Sequence, residues 1–501
     1  MIELFKCIYL GKESKTPLYI QLYDRLKSLI AGGTLPPDFR LPSVRQFARI
    51  LQVNQITVVS AIRRLENEGY LYTKPGSGTY VANFSPPAPG LTGTGGNLIS
   101  DEIYLQDDIA LISSTPQIKI DENTINFASA TPAPDLFPVE DFKMALNDVL
   151  ERDRGNAFSY HESQGYHPIR ESIADILRAK GIRCVPDDIQ VISGAQQGID
   201  IVSKALLKQG GCVVAESPTY TGAIAVFKSR EARVADIEIK KDGIDLGVFE
   251  YMLKKYRPAI FYTIPSFHNP TGYSCPNEKR LEILKLAEKY GTYIIEDDYV
   301  SDLDFTGKNY IPLKAMDKNG MVIYLKSFSK IFMPGLRLGF IIMPAGQQEN
   351  ILKAKHTTDI STSSLIQRAI DLYIRKGYWD KHFKFMFEIY KERYFEITKS
   401  LDENLPASIS YFKPGGGLNI WLNLPWGLAV NSLVKRAAAD NLAFAPGRIF
   451  YGGSCLQGAN NIRLSFASVY TGQINPGIKK LCGILKSMQQ GHGPYKNVPI
   501  L

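Results

Sequence analysis

The chain has 501 residues, of which 45% are hydrophobic and 22% charged, and it carries a net charge of +8. That length exceeds one ordinary core and predicts two or three domains of globular type. No apolar run reaches the roughly 20 residues of a membrane span, and the opening Met1–Lys6 lacks a signal-peptide pattern, so secretion is not expected. Six cysteines lie scattered without a CxxC pair. They argue for reduced thiols in a cytoplasm, and against a zinc site or a disulfide frame.

The charge is uneven. Residues 1–82 hold 11 Lys and Arg against 6 Asp and Glu, a net +5, which leaves +3 for the other 419 residues. A basic excess in the first sixth of a chain is the footprint of a phosphate-backbone partner. Within it Leu18, Leu22, Leu26, Leu29 and Ile30 recur at helical spacing, and Gly32-Gly33 ends the helix. Ser43 can cap a second helix with Val44, Phe47, Ala48 and Leu51 inward. Asn54 can cap a third, with Val58, Ala61, Ile62 and Leu65 on one face. Two short runs, Leu71–Thr73 and Thr79–Val81, flank Lys74-Pro75-Gly76-Ser77-Gly78 and read as a hairpin. Three helices and a hairpin make a winged helix-turn-helix, an α+β unit.

The segment Arg40-Leu41-Pro42-Ser43-Val44-Arg45, with Asn54-Gln55-Ile56-Thr57-Val58 and the glycine-turned wing, resembles the GntR family of DNA-binding regulators over residues 16–82. Gln55, Thr57 and Ser60 would line the exposed start of the third helix, the end that enters a major groove. Arg40 and Arg45 would sit near the DNA backbone, with Lys74 on the wing. The chain departs from the family at Gln55 and Val59, where arginine is frequent.

Residues 83–122 begin Asn83-Phe84-Ser85-Pro86-Pro87-Ala88-Pro89-Gly90 and read as a Pro/Gly linker that cannot build a core. From 123 to 488, short apolar runs alternate with helix-length amphipathic stretches, the pattern of an α/β domain with a mostly parallel sheet. A polar tail, 489–501, is expected to be disordered. Five of the apolar runs end in polar junctions. These are Val191-Ile192 before Ser193-Gly194-Ala195-Gln196, Val213–Ala215 before Glu216-Ser217-Pro218-Thr219-Tyr220, and Ile260–Ile264 before His268-Asn269-Pro270-Thr271-Gly272. The others are Tyr293–Ile295 before Glu296-Asp297-Asp298-Tyr299, and Val322–Leu325 before Lys326-Ser327-Phe328-Ser329-Lys330. Ligands of open α/β sheets bind at the carboxyl ends of strands, so these groups can meet at one site. The first junction opens a helix whose N–H groups suit a phosphate.

Taken with Arg337, seven residues past Lys330, the set resembles the fold-type I pyridoxal-5′-phosphate (PLP) aminotransferases over residues 125–485. The resemblance implies that Lys330 forms the Schiff base and that Asp297 pairs the ring nitrogen. It implies that Asn269 and Tyr299 hydrogen-bond the cofactor's 3′-oxygen and that Tyr220 stacks on the ring. Ala195, Gln196, Ser327 and Arg337 would hold the phosphate, joined by Tyr160 of a partner subunit. Arg463 would clamp an α-carboxylate, a task for a planar fork. Read singly, Asp297 or Asp298 could cap a helix, His268 fits loop support better than catalysis, and Gly415-Gly416-Gly417 fits a tight backbone approach.

A GntR-like head on an aminotransferase-like body is similar to the MocR subfamily of regulators. That resemblance implies a cytoplasmic, homodimeric transcription regulator that binds double-stranded DNA. It would sense PLP, an amino acid or an amine through aldimine formation at Lys330. A working aminotransferase with an appended head, or a ligand-sensing repressor that has lost PLP, remain the alternatives.

Overall fold

A computed structural model describes residues 18–31, 35, 39–51, 53–67, 70–74, 78–82, 123–425, 428–452, 458 and 460–490. The linker 83–122, the tail beyond 490, the wing tip 75–77 and the glycines 32, 33 and 69 lie outside them. The chain divides into two compact units, Met1–Leu98 and Ile99–Leu501.

In the first unit, helices Leu18–Ala31 (α1), Val44–Leu51 (α2) and Gln55–Asn67 (α3) precede strands Leu71–Lys74 (β1) and Gly78–Val81 (β2). Leu22, Leu26, Phe47, Val58, Ala61 and Leu65 are fully or almost fully buried at the helical spacing read from the sequence. Ser43 and Gln46 form a reciprocal cap. The Gln46 N–H donates to Ser43 Oγ (3.4 Å), and the Ser43 N–H donates to Gln46 Oε1 (3.2 Å). Asn54 Oδ1 accepts from the Ile56 N–H at 3.0 Å. β1 and β2 pair antiparallel, Leu71 opposite Val81 and Lys74 opposite Gly78.

The second unit opens with Ile125–Asn126 (β3). Its main sheet has seven strands: Ile189–Ile192 (β4), Cys212–Ser217 (β5), Arg233–Glu238 (β6), Ile260–Thr263 (β7), Tyr293–Asp298 (β8), Val322–Ser327 (β9) and Gly339–Ile342 (β10). Their spatial order is β4-β10-β9-β8-β7-β5-β6. All neighbours run parallel except β10, which is antiparallel to both β4 and β9. β4, β5, β7 and β10 are buried along their whole length. That is why they carry consecutive apolar residues, such as Val213–Ala215, Ile260–Tyr262 and Phe340–Ile342, rather than a strict alternation. Helix Ala195–Leu206 (α4) follows β4, and the 27-residue helix Tyr378–Asn404 (α5) comes after the last strand of the sheet in the chain.

A second, antiparallel sheet is built from Ser410–Tyr411 (β11), Asn419–Asn423 (β12), Ala445–Pro446 (β14) and Asn461–Ser465 (β15), in the order β11-β12-β15-β14. Leu442–Ala443 (β13) pairs in parallel with β3. Helix Thr471–Gln490 (α6) closes the described chain. It runs through Gln489 and Gln490, so the tail expected from 489 begins no earlier than 491. Ile474, Ile478, Leu481 and Leu485 are fully buried on α6, and this packing carries the helix past its polar end.

Candidate functional site

Lys330 stands in the turn after β9. The turn is braced from below by α5: Tyr390 donates its hydroxyl to the Lys330 carbonyl (2.9 Å), and His382 Nε2 meets the Ile331 carbonyl (2.9 Å). Burial, then the charges of Arg463 and Arg337, pull the Lys330 amine down to about 8, with Asp297 opposing. An amine so placed spends part of its time neutral near pH 7–8 and is a nucleophile. Ser327, at the end of β9, donates to Ser329 Oγ (2.9 Å) and accepts from the Ser329 N–H (3.2 Å).

β8 ends in two adjacent carboxylates with opposite surroundings. Asp298 faces a buried charge cluster. It lies 3.4 Å from Lys326 and 3.5 Å from Lys180, accepts from Ser301 Oγ (2.6 Å), and is also bonded by the Tyr324 hydroxyl. Burial works to raise its pKa, but Lys180 and Lys326 overcome this and hold it below the ordinary carboxylate range. Among the described residues Asp297 has a single hydrogen-bond partner, the Tyr262 hydroxyl, which donates to Oδ2 at 2.7 Å, and its buried Oδ1 has none. Burial raises Asp297 to about 6, the Tyr262 bond opposing. A buried orphan carboxylate oxygen calls for a cationic or N–H donor. Asp297, and not Asp298, is the carboxylate open to a ligand.

Residues 264–275 form the next wall. Arg463, on β15, donates from Nη1 to Asn269 Oδ1 (3.0 Å) and from Nη2 to the Ala128 carbonyl (2.6 Å), while its buried Nε has no partner among the described residues. The guanidinium lies 5.0 Å from the centre of the Phe450 ring. Burial lowers Arg463 to about 10. With Asn269 Oδ1 taken, the Asn269 amide presents Nδ2 as its donor side. Tyr299 donates its hydroxyl to the Phe267 carbonyl (2.6 Å) and accepts from Asn419 Nδ2 (3.0 Å). The sequence expectation had that proton on a cofactor oxygen.

His268 is fully buried with Nδ1 3.0 Å from Thr271 Oγ1. Burial drives it down to about 3 and its neighbour Glu216, 3.5 Å from Nε2, up to about 7. The histidine is neutral, and it supports the loop.

At the start of α4, Ala195 and Gln196 are the first helical residues. The preceding Gly194 has φ +96° and supplies no side-chain cap. A Cβ on Gly194 would fall 2.6 Å from Arg337 Nη2, so only glycine admits the arginine here. Arg337 itself donates to the Ser193 carbonyl (2.8 Å). The N-terminus of a 12-residue helix without a side-chain cap and a guanidinium beside it are the kind of groups that suit an anion. Tyr220 lies with its ring over Gly222, where a Cβ would come within 2.5 Å of it. Tyr160 is 85% exposed and stands apart from these residues.

In the first unit, Arg40, Arg45 and Gln55 are exposed, and Thr57 and Ser60 are half-buried. Arg40 bridges to Tyr80 on β2, beside the wing. The Lys74 side chain lies outside the described residues. Sequence reasoning did not single out Tyr262, Asn419, Phe450 or Ala128. Tyr262 sits within the apolar run Ile260–Ile264, Asn419 lies on a strand (β12) that the sequence reading did not single out, and no local pattern marks either.

Residues 117–481 match the family "Aminotransferase class I and II", and residues 18–81 match "Bacterial regulatory proteins, gntR family". The HTH-type transcriptional regulator YisV of Bacillus subtilis is 32% identical over 94% of this chain and 96% of its own length. The probable rhizopine catabolism regulatory protein MocR of Rhizobium meliloti is 28% identical over 95% of each. Among solved structures, LysN, the α-aminoadipate aminotransferase of Thermus thermophilus, complexed with N-(5′-phosphopyridoxyl)-L-leucine, superposes with a TM-score of 0.68. It is 33% identical, over 74% of this chain and 94% of that one.

Proposed function

The chain belongs to the aminotransferase class I and II family and carries a gntR-family head, and on that premise we propose that it is a DNA-binding regulator that reads an amino acid or amine at Lys330. The body is of the PLP-dependent aminotransferase fold, and the gntR-family head implies binding to DNA. Bound PLP supplies an aldehyde that condenses with amines and a ring that accepts electrons.

The residues fit that group. The Asp297 Oδ1 orphan is placed to hold a protonated ring nitrogen, and the Tyr220 ring to cover the ring's face. The α4 N-terminus with Ala195 and Gln196, together with Ser327 and Arg337, is suited to the phosphate. Asn269 Nδ2 is the donor offered to the ring's 3′-oxygen. The Arg463 Nε orphan, beside two N–H groups already engaged, suits one edge of an incoming carboxylate. Lys330, kept partly neutral by burial, is the amine that an effector's amine would displace. The exposed Tyr160 suits a contact across a two-fold interface, so a homodimer with two heads is expected.

The observation that carries the reading is the pairing, in one chain, of an intact lysine and orphaned carboxylate with a winged head. A change of partner at Lys330 would shift the body between two states and with it the affinity of the heads for DNA. The test is an absorbance titration of PLP-loaded protein with candidate amines, run beside DNA binding. Lys330→Ala should abolish both the visible band and the amine-dependent change in DNA affinity. Full amine response in that variant would overturn the mechanism. A second reading, an aminotransferase, rests on the completeness of the Arg463–Asn269 clamp. Steady turnover of an amino acid with a 2-oxo acid, and no DNA binding, would favour it.

A further inference from the structure

Tyr299 has one proton, and it is committed. The hydroxyl donates to the Phe267 carbonyl at 2.6 Å, so it presents only a lone pair to an incoming oxygen. Neither end of that bond is free to move. Phe267 is held at φ +50°, an uncommon backbone for a bulky residue. Its side chain fills the space left by Gly416 and Gly417: a Cβ on Gly416 would come within 2.7 Å of the ring, and one on Gly417 within 2.5 Å of the Phe267 Cβ. Asn419 holds the phenol from the other side, donating Nδ2 to the Tyr299 oxygen at 3.0 Å. Asn419 is 1% exposed, and its Oδ1 has no partner among the described residues. With the Tyr299 proton given to Phe267, the phenol oxygen can only accept from Asn419, so the amide is the donor in that contact.

We propose that Asn419 is a positioning residue that makes the Tyr299 hydroxyl a proton switch, bonded to Phe267 when the site is empty and to the cofactor's 3′-oxygen when it is filled. The inference rests on the PLP reading above. Rotation of the O–H moves the proton without moving the oxygen, and the Asn419 bond survives in both states. An anionic oxygen is a stronger acceptor than a peptide carbonyl, so filling the site draws the proton over. Donation by Asn419 polarises the phenol and strengthens its own donation in turn. In the PLP reading Asn269, held by Arg463 through its Oδ1, would donate to the same oxygen directly. Two amides thus act on one atom, one through a phenol.

The readout is the pH midpoint of the visible band of bound PLP. The 3′-oxygen shares the proton of the cofactor–lysine linkage, and a strong donor to that oxygen weakens its hold on the proton. Loss of the Asn419 bond should therefore raise the midpoint, by about 0.5–1 pH unit for one hydrogen bond. Asn419→Leu and Asn419→Ala test this, since neither side chain can donate a hydrogen bond, and both should shift the midpoint the same way. In a Tyr299→Phe background the Asn419 effect should vanish, because the two residues act in series. A merely structural asparagine would lower stability or loading without moving the midpoint. Variants that load PLP with an unchanged midpoint, or an equal shift without the Tyr299 hydroxyl, overturn the inference alone. Wild-type protein that takes up no PLP overturns the cofactor reading and the inference with it.

Discussion

Asp297 shows how a single side chain is tuned by what it lacks. Burial raises it to about 6, and Glu216 and Glu296, also buried, stand at about 7. A carboxyl raised in the folded state contributes stability that is complete below its unfolded value near 4 and is lost as pH rises through the folded value. The cofactor-free body should therefore lose stability between about pH 4 and 7, Asp297 accounting for up to about 3 kcal/mol of it. A cationic ring nitrogen beside Oδ1 reverses the Asp297 share. Calorimetry should show PLP raising the melting temperature more at pH 7.5 than at pH 5. Asp297→Asn should erase most of that difference while leaving the Glu216 and Glu296 slope. An unchanged difference in the variant would assign the effect to another group.

Elements differ in how far their residues announce them. β4, β5, β7, β8 and β9 were legible as apolar runs because both faces of the main sheet are covered, and their polar ends were legible as candidate ligands for the same reason. The loop carrying Gly415, Gly416 and Gly417 was legible only as a tight approach. The structure shows what approaches: a Cβ on Gly416 would lie 2.0 Å from the Leu303 carbonyl and 2.7 Å from the Phe267 ring. Gly416→Ala should destabilise the body by about 1–3 kcal/mol through forced backbone movement. It should also weaken PLP loading, because Phe267 and its hydrogen bond to Tyr299 would shift. Gly415→Ala meets mainly the Thr306 side chain and should cost less; urea denaturation of the two variants compares them directly.

For the whole molecule, the basic head and the incomplete site each make a demand on a partner. Arg40→Ala and Arg45→Ala should weaken DNA binding almost equally across sequences. Each should reduce the slope of log affinity against log salt by about 1 if it contacts a phosphate. An unchanged slope would place that arginine off the backbone. The exposed Tyr160 makes a sharper case. If Tyr160 serves the site of a partner subunit, mixed dimers of Tyr160→Ala and Lys330→Ala chains would contain one site with both groups intact and one with neither. Mixing the two variants should therefore restore amine-responsive absorbance that neither shows alone, and failure to restore it would mean that Tyr160 serves its own subunit or none.

The sequence by itself determined the two-part architecture and the order of the chemical groups along it, because strand ends and helix caps are written within a few residues. Only the tertiary structure decided how those groups are wired. It left Asp297 open and closed Asp298 with two lysines. It put the Tyr299 proton on Phe267 and brought Asn419 behind it. The partners responsible lie 35, 120 and 194 positions apart for Asp297–Tyr262, Tyr299–Asn419 and Asn269–Arg463. Hydrogen bonds at that separation leave no periodicity or spacing to read, since they form only after the sheets have packed.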